Sequence, residues 1–192
     1  MSEGMEKLRQ DLEIIEAMAA EMDSYLKSDV LFWPMTNGNL PRLTLGGYLM
    51  RQYRLLALED LLDEGEKERL DTAVSQFNEA LVEKIVRLEQ RTHQELEARM
   101  RQWAEYLKDL SRESASSSAY YATAVETRAM ISALVNKLKL PPYQLNDRIL
   151  QQITMFDGNL RRRWHSGDFV WPEEWQPAYP KAVYWWLYGG PR

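Results

Sequence analysis

The run Arg161-Arg162-Arg163, followed directly by Trp164, is the densest cluster of chemistry-bearing residues in this sequence. Each guanidinium offers a fork of N–H donors that matches two oxygens of a phosphate or carboxylate, and a neighbouring indole can stack on a base. With Arg128, Lys137, Lys139 and Arg148 the run makes a basic stripe suited to an anionic ligand or nucleic acid. The plainer alternative is a basic helix C-terminus that complements the helix dipole. The net charge is −5, yet residues 1–113 hold 15 basic and 23 acidic side chains while residues 114–192 hold 9 and 6. The positive excess therefore lies in the C-terminal part, where it suits something anionic or the acidic part of a second copy.

A second anion site is offered by Thr44-Leu45-Gly46-Gly47 with Arg51 and Arg54. Small residues at a helix start leave its free N–H groups open to a ligand, and the arginines add charge. The glycines fit neither a P-loop nor a dinucleotide pattern, and close helix packing explains them equally well.

Metal and nucleophile chemistry have less to stand on. Glu89, His93 and Glu97 share a helix face, but no Glu precedes either His93 or His165 by three residues, as a di-metal bundle site requires. His165, Ser166 and Asp168 are neighbours in sequence, which is not how a triad is recognised, and Gly167 makes a turn the better reading. The chain has no cysteine, so thiolate ligands, disulfides and a cysteine nucleophile are excluded. No cofactor or metal is expected.

The segment after His165 holds Trp171, Trp175, Trp185 and Trp186 with Tyr179, Tyr184 and Tyr188, punctuated by Pro172, Pro177 and Pro180. Such a tail either caps the domain, or offers Trp175, Trp185, Trp186 and Tyr188 to another chain, since these residue types dominate interface hot spots. A membrane-surface role is disfavoured because Lys181 is its one cation before the terminus.

These residues need a scaffold, and it reads as helical. Residues 66–140 contain no glycine and no proline, the strongest punctuators of local structure. The expected fold is all-α: a bundle of about five helices around one very long helix at 66–112, with residues 1–164 as the bundle and 165–192 as an irregular aromatic tail. A first helix over 3–27 carries Met5, Leu8, Leu12, Ile15, Ala19, Met22 and Leu26 at alternating steps of three and four, a heptad seam. Pro34, Gly38 and Pro41 interrupt residues 29–43. A second helix opens at Thr44 and runs to about Leu62. The long helix carries an apolar stripe with an 11-residue repeat and ion pairs on its outside at Glu83–Arg87, Glu95–Arg99 and Glu97–Arg101. At 1.5 Å per residue it would span about 70 Å, against a radius of gyration of roughly 16 Å for a compact chain of this size. A bend is expected at the weakly apolar stretch 87–99, or else a second chain covers the overhang. A serine turn at 114–118 leads to a fourth helix over 119–140 with Ser117 or Ser118 as cap, then a fifth over 143–164.

No segment is apolar for long enough to span a bilayer, and the first residues lack a signal-peptide pattern, which points to a cytoplasmic protein. The functional expectation is a non-enzymatic interaction or scaffold protein that self-associates as a homodimer. The alternative is a module binding an anionic ligand or nucleic acid through Arg161–Arg163.

Overall fold

The computed structural model describes residues 1–112 and 114–192, and the side chains of all of these but 114–116. It is all-α, with a small sheet formed by the tail. The helices are α1 (Glu3–Lys27), α2 (Leu45–Ala57), α3 (Glu64–Leu81), α4 (Ile85–Arg112), α5 (Ser114–Ala119), α6 (Tyr121–Leu138) and α7 (Asp147–Arg161). Among the described residues, no helix is long and apolar enough to cross a membrane.

Helix α1 starts where Ser2 accepts a hydrogen bond from the Met5 N–H; of its expected seam, Leu8, Leu12, Ile15, Ala19, Met22 and Leu26 are buried, chiefly against α3, and Met5 at the outer end is half-buried. Helix α2 is capped by Thr44, as its sequence predicts, through a 2.9 Å bond from the Gly47 N–H. It stops at Ala57, short of the expected Leu62, and a 3-10 turn at Glu59–Leu61 leads to α3. Asp63 and Glu66 then form a reciprocal capping box at the start of α3.

The single helix expected over 66–112 is two helices. The chain breaks at Val82–Lys84, where Glu83 takes a left-handed φ of 64°. No glycine or proline marks the break; tertiary contacts hold it. Lys84 Nζ reaches both Asp23 (2.7 Å) and the Ala80 carbonyl (2.8 Å), and Arg87 donates to the Leu26 and Lys27 carbonyls at the end of α1. The break lets α3 lie on α1 while α4 lies on α6. The bend is thus at 82–84 and not at 87–99. That stretch is a core face instead: Leu88, Arg91, Thr92, Glu95, Leu96 and Arg99 are all buried. Its polarity is matched internally, so Glu95–Arg99 is a buried pair; among the described residues the other two expected pairs, Glu83–Arg87 and Glu97–Arg101, do not form, and Arg87 reaches α1 instead.

The serine stretch is helical, forming α5, and not a turn. Tyr120 sits at the start of α6 with no side-chain cap, in place of Ser117 or Ser118. Helix α6 fills the space between α2 and α4. Helix α7 begins later than expected, at Asp147 with Asn146 as cap, and continues through Asp157-Gly158-Asn159 to Arg161.

The tail is more ordered than an irregular segment. Strand β1 (Trp164–Phe169) pairs antiparallel with β2 (Tyr188–Pro191). Gly189 has a φ of 136°, and a Cβ there would fall 2.1 Å from the His165 carbonyl oxygen, so the pairing requires glycine. Between the strands, Trp175, Tyr179, Trp186 and Leu187 sink into the core. Hydrogen bonds from Trp175 Nε1 to the Gly4 carbonyl (3.0 Å), from Tyr121 to the Trp186 carbonyl and from Tyr53 to the Ala178 carbonyl fix the tail across α1, α6 and α2.

Candidate functional site

Helix α7 is the least embedded of the main helices. Only Ile149 and Leu160 are buried on it, and its main helical neighbour is α4. Two clasps hold it. At its start, the Gln144 N–H donates to Glu89 (3.0 Å) and the Asn146 N–H donates to His93 Nε2 (3.3 Å). His93 Nδ1 lies 2.9 Å from the Glu89 carbonyl, so with Nε2 accepting, Nδ1 carries the proton and donates. Glu89 and His93 therefore anchor the connection between α6 and α7, while Glu97, on the same face, lines the cavity beyond. At the other end, Arg128 grips Asp157 with two bonds of 3.0 and 2.9 Å, and Arg163 donates to the Leu110 carbonyl.

Between the clasps α7 stands off α4, and the two run in the same direction. The gap holds two adjoining cavities of about 590 and 440 Å³ that share Ala104 and Phe156. The larger is lined by Lys108, Arg162 and Arg163 with Ser111 and Asn159, over a floor that includes Leu107, Phe156 and Leu160. Among the described residues no acidic side chain lines it. The smaller carries Arg101 and Arg148 with one acid, Glu97, around Met100 and Ile149. Lys108 and Arg162 are exposed and Arg163 is half-buried, and among the described residues neither of the first two is in an ion pair.

The three consecutive arginines diverge. Arg162 and Arg163 enter the cleft, whereas Arg161 lies 3.8 Å over the ring of Trp185. The rest of the expected basic stripe divides: Arg148 lines the adjoining cavity and Lys139 is exposed, whereas the other two turn inward. Arg128 is buried in its pair with Asp157, and Lys137 is half-buried near Phe77 and Tyr143, with its pKa lowered by desolvation. Lys108, Ser111 and Asn159 were not anticipated. The local signal for them is the three-residue spacing of 108 with 111 and of 159 with 162, which puts each pair on one helix face.

The helix start at Thr44–Gly47 is already occupied by an anion of the chain itself. Both oxygens of Glu95 accept from the Gly46 N–H, at 2.9 and 3.0 Å, and Arg99 Nε donates to the same carboxylate at 3.1 Å. Glu95 is fully buried, and that desolvation raises its pKa despite Arg99 and the Gly46 N–H. Arg51 and Arg54 turn instead toward buried Asp11, at 3.3 and 2.7 Å. Arg54 also lies 3.9 Å over Trp175. The recess these residues line, about 540 Å³, sets Lys7, Arg51 and Arg54 against Glu3, Asp11 and Glu126, so its charge is balanced. A larger cleft of about 810 Å³ between α4 and α6 is lined by Phe32, Trp103, Tyr106 and Tyr120 and carries Glu105 and Asp109 against Arg101. A small pocket of about 230 Å³ at the start of α2 sets Arg42, Arg51 and Arg99 against Glu126, and two of these arginines are already held by Asp11 and Glu95. Among the described residues, the larger cavity beside α7 combines cations with no acidic lining.

Of the four aromatic residues expected at an interface, Trp175 and Trp186 are buried within the chain, and Trp185 and Tyr188 are half-buried. Tyr188 donates to the Tyr179 carbonyl at 2.7 Å. Trp175 and Trp186 are core residues and cannot meet a partner without unfolding the tail. His165, Ser166 and Asp168 lie along strand β1 and not in a turn. Comparison with known proteins adds no constraint on these sites: no family model, curated protein or solved structure matches the chain.

Proposed function

We propose that this chain is a non-enzymatic binding module for an anionic ligand, held in the cleft between α4 and α7 by Lys108, Arg162 and Arg163. The observation that carries this reading is the convergence of three cations with a hydroxyl and a carboxamide over one cavity, in a chain whose net charge is −5. The C-terminus of α7, equivalent to roughly −0.5 charge, accounts for part of that charge, and Arg163 is engaged with the Leu110 carbonyl of α4. About two positive charges, on Lys108 and Arg162, remain for a ligand.

The test is binding of 8-anilinonaphthalene-1-sulfonate, followed by its fluorescence at low and high salt, in the intact protein and in K108S/R162S. Both substituted residues are exposed, so the fold survives the change. Saturable binding that weakens about tenfold or more in the variant and falls with salt supports the reading. Equal binding by the variant removes it.

Self-association is the second reading. The heptad seam of α1, the long rod and the tail tryptophans are all used within the chain, but Val82, Ile85 and Val86 stand 63%, 44% and 69% exposed at the corner between α3 and α4. Light scattering over a hundredfold concentration range tests it. A persistent dimer that V82D/V86D dissociates supports it, and a monomer throughout removes it.

A further inference from the structure

The cleft beside α7 has two ends of different chemistry, and this difference narrows the class of ligand. The end at Lys108, Arg162 and Arg163 is cationic. From there a continuous apolar track runs along Leu107, Ala104 and Met100 on α4, faced by Leu160, Phe156 and Ile149 on α7. On α4 the track from Met100 to Ser111 is about 16 Å long at 1.5 Å per residue. The chain leaves this space open although it lies directly on the core: Met100, Ile149 and Leu160 are buried, and Leu107 and Phe156 are half-buried against the same cluster.

On the reading that the cleft binds anions, we infer that its ligand is a single-chain anionic amphiphile. The carboxylate or phosphate head is held by Lys108 and Arg162, with the Asn159 carboxamide as a further partner. The alkyl chain lies along the track toward Met100. A nucleic-acid strand fits less well. It would seek several stacking rings, whereas Phe156 is the single Phe, Tyr or Trp lining either cavity among the described residues. A bare inorganic anion would leave the apolar track uncovered.

The test is isothermal titration of the full chain with octanoate, decanoate and dodecanoate below their micelle concentrations, with dodecan-1-ol, with inorganic pyrophosphate and with a single-stranded 15-mer oligonucleotide. The expected result is one site per chain and an affinity that rises up to about fourfold per added methylene. Dodecan-1-ol should bind at least tenfold more weakly than dodecanoate, and K108S/R162S should abolish that preference. Pyrophosphate binding that depends on Lys108 and Arg162, without any chain-length dependence, overturns this inference and leaves the anion-binding reading standing. An oligonucleotide that binds more tightly than dodecanoate and is lost in K108S/R162S overturns it in favour of nucleic acid. Chain-length dependence without a preference for the anion overturns it as general adsorption. No binding of any probe overturns both readings.

Discussion

Replacing Gly46 with alanine attacks the buried ion pair at its most crowded point. A Cβ built at Gly46 would sit 2.3 Å from Glu95 Oε2 and 3.2 Å from Leu134 Cδ1. The first distance is far inside contact, and the atom it strikes belongs to a carboxylate with no exposed surface. Glu95 must move, and in moving it loses the Gly46 N–H and pulls away from Arg99. A net hydrogen bond to a charged group is worth about 1.5–3 kcal/mol, and breaking a buried pair so that a charge loses its partner costs about 3–5 kcal/mol. The gain in helix propensity from glycine to alanine returns up to about 1 kcal/mol. The expected net loss for G46A is about 2–4 kcal/mol, or a melting temperature lower by about 4–16 °C in a chain of this length. Urea unfolding at pH 7 gives the free energy, and an unchanged m-value shows that the denatured state is not responsible. The double variant G46A/E95A supplies the control, because removing the carboxylate removes the clash; the two substitutions should couple by more than about 1 kcal/mol. A G46A protein within about 0.5 kcal/mol of the parent would refute the claim that Glu95 is locked at the start of α2.

Two further outcomes follow from the same core. Burial raises the pKa of Glu95 above 4.5 in the folded state, so the folded chain keeps this proton to higher pH than the unfolded chain does, and this group's contribution to stability falls as pH rises from 4.5 upward. The stability of E95Q relative to the parent should therefore increase with pH in urea titrations from pH 4 to 8, and a difference that decreases would mean the site favours the anion. Trp186, 1% exposed and 4.9 Å beneath the Arg128 guanidinium, should cost about 3–5 kcal/mol when changed to alanine; a loss below about 1 kcal/mol in thermal melts would show that the tail does not contribute to the core.

Helix class and the starts of the first two helices were legible because they rest on local chemistry. Ser2 and Thr44 cap as their residue types predict, and the α1 seam is buried at the spacing that announces it. The break at Val82–Lys84 was not legible, because it is held by Lys84 and Arg87 reaching residues about 60 positions earlier, a relation that no window of sequence contains. The stretch 87–99 misled for a related reason. Arg91, Glu95 and Arg99 look solvent-directed by type, yet they fall four apart on the buried stripe, with partners supplied by Ser28, Val30, Gly46 and Thr44. In the candidate site, Arg162 and Arg163 were visible as a cationic run, but the cleft exists only because α7 settles parallel to α4, which brings Lys108 and Ser111 opposite them. The tail's sheet was hidden by a high proportion of proline and aromatic residues, and Gly189 is the one residue whose backbone geometry demanded it.

The bond from Trp175 to the Gly4 carbonyl joins residues 171 positions apart, and this separation has a meaning for synthesis on the ribosome. Translation proceeds at about 5–20 residues per second, so the outer end of the first helix waits roughly 10–35 s for the indole that covers it. During that interval Asp11 also lacks the lid that Trp171 and Trp175 place over its arginine partner. The nascent chain can close its α1–α3 seam early, but this flank closes only after Trp171 and Trp175 have emerged. A frameshift or stop codon shortly before Trp175 would therefore leave a product with α1 through α7 but an open flank, the kind of species that cellular quality control removes.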